Sequence, residues 1–137
     1  MMVIAEEHYS PDRTLRLIVS RENGDTTIGF NVLGTNLFYG HTHGDILVAL
    51  SGLPESEAIR QYVERILNDE EIILVIRVNG EVDHVHLTDD PTGDLYSKYN
   101  LPEESFEFRR WSGLPVHVEP PSSLPNTSAP SANPPKK

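Results

Sequence analysis

No cysteine occurs anywhere in the 137 residues. That excludes disulfides, thiolate nucleophiles, iron–sulfur ligation and zinc fingers, all of which need a thiolate sulfur. No apolar run approaches the roughly 18 residues that a membrane-spanning helix requires. The opening MMVIAEEHYS has neither a basic segment nor an apolar stretch long enough for a secretory signal. A cytoplasmic protein with no membrane attachment is therefore expected. Basic side chains are scarce, 11 against 21 acidic, giving a formal net charge of −10. Without a basic stripe the chain repels nucleic-acid phosphates and anionic lipid, so neither is an expected partner. Three catalytic signatures are also missing: GxxxxGK[ST], GxGxxG and a serine nucleophile elbow. DDPTGD (residues 89–94) lacks the alternating acids and closing glutamate of a calcium loop.

What is present speaks mainly to fold. VIAEEHY reads as a first strand and SPDR as a turn. Asn23-Gly24 and Asn79-Gly80 each sit between β-rich runs, and both mark type I′ hairpins because both central residues need positive φ. In the first hairpin Leu15, Leu17, Val19, Ile28 and Phe30 share the core face, with Val19 opposite Ile28 and Leu17 opposite Phe30. In the second, simple alternation pairs Val75 with His84 and Ile73 with His86. It puts Ile72, Leu74, Ile76, Val78, Val85 and Leu87 inside, and His84 and His86 on the wet face about 7 Å apart.

Between the hairpins, NVLGTNLFYG reads as a loop whose Leu37, Phe38 and Tyr39 pack down. A helix follows with Ile46, Leu47, Ala49 and Leu50 on one face, Thr42 as N-cap, Asp45 at the third position and Gly52 as the stop. Ala58, Ile59, Tyr62, Val63, Ile66 and Leu67 then recur with helical period behind Pro54. SFEFRRW closes as a strand.

The order predicts an α+β fold, a mainly antiparallel sheet of about five to six strands with two consecutive helices on one face. Residues 1–113 make the single domain. Residues 114–137, with seven of the 11 prolines and much Ser, Asn and Ala, read as a disordered tail with almost nothing to bury. Up to Val118 the chain holds 20 acids and 9 bases, a net of −11.

Two constellations carry possible chemistry. GHTHGD (residues 40–45) supplies His41 and His43, and VDHVHL supplies His84 and His86. Four imidazoles converging would hold zinc or a similar ion and could serve a small metal-dependent hydrolase. Helices placed on the core face keep the two pairs apart, so a helix start at GHTHGD and a dressed outer strand is the simpler expectation, with no cofactor. The second constellation is a binding surface of Trp111, Arg109 and Arg110, residue types favoured as interface anchors, with the acids Asp89 and Asp90. With the acidic charge, it points to a non-enzymatic module for a basic protein partner. By size and charge alone it resembles the bacterial immunity proteins that neutralise basic toxins. A structural homo-oligomer paired through the edges of its first and last strands is the third reading.

Overall fold

The computed structural model describes residues 2–121. The elements run β1 (Val3–Tyr9), β2 (Leu15–Glu22), β3 (Asp25–Val32), β4 (Phe38–His43), α1 (Gly44–Ser51), α2 (Glu55–Leu67), β5 (Ile72–Val78), β6 (Glu81–Thr88), α3 (Pro91–Leu95) and β7 (Glu104–Arg109). Every strand pairing is antiparallel, so the α+β class holds. The expected single sheet does not: the strands divide into β1-β2-β3-β4 and β6-β5-β7.

The division falls at Gly40. Residues 38–43, read from sequence as loop and helix cap, form β4. It pairs with β3 through a bulge that sets Gly40 and His41 against Gly29. Gly40 has φ +57°, and a Cβ on it would collide with the Val85 carbonyl oxygen. Only glycine meets both demands. Through Gly40 the edge of β4 abuts β6 without joining it in a ladder.

Both Asn-Gly turns have positive φ at both central residues, at Asn23, Gly24, Asn79 and Gly80, as a type I′ turn requires. The β2–β3 register is the expected one, with Leu17 opposite Phe30 and Val19 opposite Ile28. The second hairpin departs from simple alternation. An extra residue, Asp83, bulges from β6, so Val75 pairs with Val85 and Leu74 with His86. On β6 the expected Val85 and Leu87 do face the core, but on β5 the core face carries Ile73 and Val75 rather than the expected Ile72, Leu74, Ile76 and Val78, although Leu74 is also buried on the far face beside Phe108.

One core joins both sheets. Leu15, Leu17, Val19, Ile28 and Phe30 meet Ile73, Val75 and Val85, together with Leu47, Trp111 and the α2 residues Ala58, Ile59, Val63 and Ile66. The α2 stripe is the one its period predicts. α1 differs: only Leu47 and Val48 turn inward, while Ile46 and Leu50 are exposed. Thr42 is no cap, because it pairs with Ile28 in β4. His43 occupies the cap position without a side-chain cap bond, and Gly52 ends the helix in the left-handed conformation. DDPTGD contains a short helix, α3, with Asp90 accepting the Gly93 N–H at 3.1 Å.

The boundary drawn at residue 113 falls inside ordered chain. The Arg110 N–H donates to Leu114 O, the Val116 N–H to Phe108 O, and Thr92 Oγ1 to Glu119 O. The rest of the expected tail, residues 122–137, lies outside the described residues. Among the described residues no helix is long and apolar enough to cross a membrane.

Candidate functional site

The outer face of the four-stranded sheet, away from the core, carries a trough. Strand alternation sends Arg16, Ile18 and Ser20 of β2 to that side. Met2 and Ile4 form one wall, and Leu37 and Phe38 the other. The far edge of the Phe38 ring comes in over Gly29, where a Cβ would stand within 2.6 Å of it. His41 stacks on Phe38, with centroids 6.2 Å apart and planes 25° apart. Beyond Phe38 the floor continues through Ser20 and Thr27 to Asn23, Asp25, His41 and His43, with Glu22 alongside. The two hollows measure about 400 and 520 Å³ and adjoin at Met2, Ser20 and Phe38. The first is mainly apolar, and Glu22 and Asp25 line the second.

His43 is held at the polar end. Its Nδ1 stands 3.2 Å from Asp25 Oδ2 and 3.4 Å from Thr27 Oγ1. The His41 and His43 ring centroids are 5.3 Å apart, and those of His84 and His86 are 4.7 Å apart. Each expected pair is thus close, but the pairs face different neighbours. The bulge at Gly40 and His41 returns His41 to the side of Phe38, whereas Tyr39 points the other way, standing against His84 at 6.2 Å and reaching the Val82 carbonyl with its hydroxyl. Among the described residues no three His, Asp or Glu side chains come together as an ion would require. His86 is half-buried and its Nδ1 has no partner. Burial, then the neighbouring His84, lowers its pKa, against a smaller opposing pull from Asp94.

The structure gives the expected binding residues other work. Trp111 belongs to the core and Arg109 is 3% exposed, so neither side chain is open to a partner. Arg109 donates to Asp12 through both terminal nitrogens at 2.7 and 3.2 Å, to Thr14 Oγ1, and to the carbonyls of Arg110 and Trp111. Asp12 also accepts from Ser10 and Thr14. Burial alone would raise the Asp12 carboxyl. The hydrogen bonds from Arg109, Ser10 and Thr14, with the Arg109 charge, outweigh it and hold the carboxyl well below the usual carboxylate range. This pair ties the β1–β2 turn to the end of β7. Arg110 is half-buried, Asp89 is exposed, and Asp90 caps α3.

Met2, Ile4, Ile18, Leu37 and Phe38 were not singled out from sequence as a site. The available signal was NLFYG, whose Leu37, Phe38 and Tyr39 were expected to pack down; Tyr39 does so, while Leu37 and Phe38 stay exposed. Comparisons with protein-family models, with curated proteins and with solved structures find no match to this chain.

Proposed function

We propose that the chain is a non-enzymatic binding module whose acidic surface takes a basic protein partner. The observation that supports this is where its few cations are placed. Arg16, Arg60, Arg65, Arg77 and Arg109 each sit within ion-pair distance of an acid of the same chain. Exposed acids are left over, among them Glu22, Glu70, Glu81, Asp83, Asp89 and Glu103, and none of these has a cation beside it among the described residues. Glu81 and Glu104 flank Val78 from the two neighbouring strands, so one end of the second sheet is acidic. Such a field attracts a cationic surface and raises its rate of encounter. An immunity-type inhibitor of a basic toxin, working in the cytoplasm, is the narrowest form of this reading.

The test is capture from cell extract on the immobilised full chain at about 50 mM salt, followed by elution at about 500 mM, where the Debye length falls several-fold. Proteins markedly more basic than the extract average should be released by salt. Retained proteins no more basic than that average would count against the reading.

The competing reading is a metal-binding protein or small metal-dependent hydrolase. Its support is the closeness within each histidine pair. Zinc titration of stripped protein, followed by the histidine ring signals, tests it. Joint saturation of His41, His43, His84 and His86 at one equivalent would carry it. Separate weak shifts would end it.

A further inference from the structure

The trough on the outer face of β2 and β3 holds polar groups whose hydrogen-bonding capacity is unspent. Arg16, Ile18 and Ser20 follow one another along it, and Arg16 to Ser20 spans about 13 Å of strand. Arg16 stands at one end, with Asn31 beside it on β3. A guanidinium carries five N–H donors. The one hydrogen bond that Arg16 makes among the described residues runs from Nη1 to Glu7 at 3.5 Å, longer than the usual range. Its Nε is buried and has no partner. Glu7 also accepts from the Tyr9 hydroxyl at 3.0 Å, so it keeps a partner when Arg16 turns away. Asn31 is 3% exposed. Its amide nitrogen donates to the carbonyls of Thr35 and Leu37, while its amide oxygen accepts nothing among the described residues. Ser20 is 5% exposed and lines the trough, and its hydroxyl makes no hydrogen bond among the described residues. Polar side chains this deep are ordinarily paired within the chain.

Around these groups the lining is apolar. Ile18 forms the floor, Met2 and Ile4 one wall, and Leu37 and Phe38 the other. A hollow of about 400 Å³, mostly apolar with a few polar groups, has the size and make-up of a small-molecule site. We propose that the trough binds a small amphiphilic carboxylate, with its head group on Arg16 and its apolar body over Ile18 between Ile4 and Phe38.

Charge sets the direction. Glu22 and Asp25 line the hollow beyond Ser20 and repel a carboxylate there, whereas Arg16 offers unspent donors at the opposite end. The net charge of −10 opposes an anion at a distance, so the apolar body supplies most of the affinity and the head group supplies the selection. The proposal goes beyond the basic-partner reading and does not depend on it.

The test uses the isotopically labelled full chain and two probes with the same apolar chain, octanoate and octanol, each below the concentration at which it aggregates. Octanoate should shift the Ile18, Leu37 and Phe38 signals and the Arg16 side chain saturably, and bind about tenfold more tightly than octanol, as a charge-assisted hydrogen bond provides. Arg16→Gln should abolish that difference. Glu7→Gln, which frees the guanidinium, should tighten octanoate and leave octanol unchanged. Leu37→Ser, at an exposed position, should weaken both probes. Octanol binding as tightly as octanoate to the native chain, or a Glu7→Gln protein no tighter for octanoate, overturns the carboxylate assignment. Shifts that do not saturate, or that fall outside the trough, overturn the site itself. Each of these results leaves the acidic-module reading untouched, because salt-dependent capture of basic proteins tests that separately.

Discussion

Single residues hold this architecture at two joints. At Gly40 the backbone is left-handed and the Val85 carbonyl stands where a Cβ would go. Gly40→Ala should cost about 2–4 kcal/mol, combining conformational strain with overpacking against backbone that cannot give way. Gly29→Ala should cost less, because the obstacle is the far side of the Phe38 ring, and that ring can swing away. Urea midpoints of the two variants should fall in that order, and equal midpoints would show that the β4–β6 contact is soft. The second joint is Asp12 with Arg109. Asp12→Asn leaves a buried guanidinium, 4% exposed in its side chain, without its counter-charge; because the Asp12 carboxylate is itself 36% exposed, solvent screening reduces the cost to about 1–2 kcal/mol at neutral pH. The pH dependence follows from the depressed carboxyl. Its folded pKa lies below the unfolded value of about 3.9, so the unfolded chain takes up the proton first. The stabilisation is complete above that value and is lost as pH falls toward the folded pKa. Between pH 5 and 3 the native protein should therefore lose stability more steeply than Asp12→Asn, as measured by unfolding midpoints at each pH. Parallel profiles would mean that the ion pair does not set the acid limb.

At the scale of elements, what was legible in the sequence was local. The two hairpins follow from Asn-Gly dipeptides that few other turns accommodate, and α2 follows from a sustained 3.6-residue period. The β2–β3 register needed nothing beyond its turn. The β5–β6 register did, because one bulged residue reverses which face every later side chain takes, and Asp83 has no feature that marks it. The split into two sheets and the trough depend on distant elements brought together, namely Gly40 against Val85, and Met2 and Ile4 across the trough from Phe38. No window of sequence contains both partners. The same distance hid Arg109, whose carboxylate partner is 97 positions away. The bulge makes a sharp prediction. Val82 and Val85 both pack on the core side although three residues apart, because Asp83 fills the extra step. Deleting Asp83 should restore regular alternation without moving either valine, and change stability by less than about 1 kcal/mol, as for an exposed position. The pairing of Ile76 with His84 across the two strands should persist in the deletion variant, read from cross-strand nuclear Overhauser effects. Loss of those signals, with a larger destabilisation, would show that the bulge itself fixes the register.

For the whole molecule, two electrostatic effects oppose each other, and their balance is measurable. The exposed pairs of Arg60 with Glu57 and Glu64, and of Arg65 with Glu71, favour the fold and weaken as salt is added. Each such exposed pair contributes little, because water and salt screen it. Against them stands the net charge of −10, a self-repulsion that the compact state feels more than the unfolded chain and that salt relieves. Screening grows as the Debye length shrinks from about 30 Å at 10 mM to about 8 Å at 150 mM. The surplus of unpaired acids outweighs the few surface pairs, so the sign is positive. The melting temperature should rise by about 3 °C over that range, equivalent to somewhat under 1 kcal/mol for a domain of this size. Replacing sodium chloride by the same concentration of a neutral osmolyte should not reproduce the salt dependence. A fall on adding salt would mean that the arginine pairs, rather than the uncompensated acids, dominate the surface, and it would remove the electrostatic basis for a basic partner.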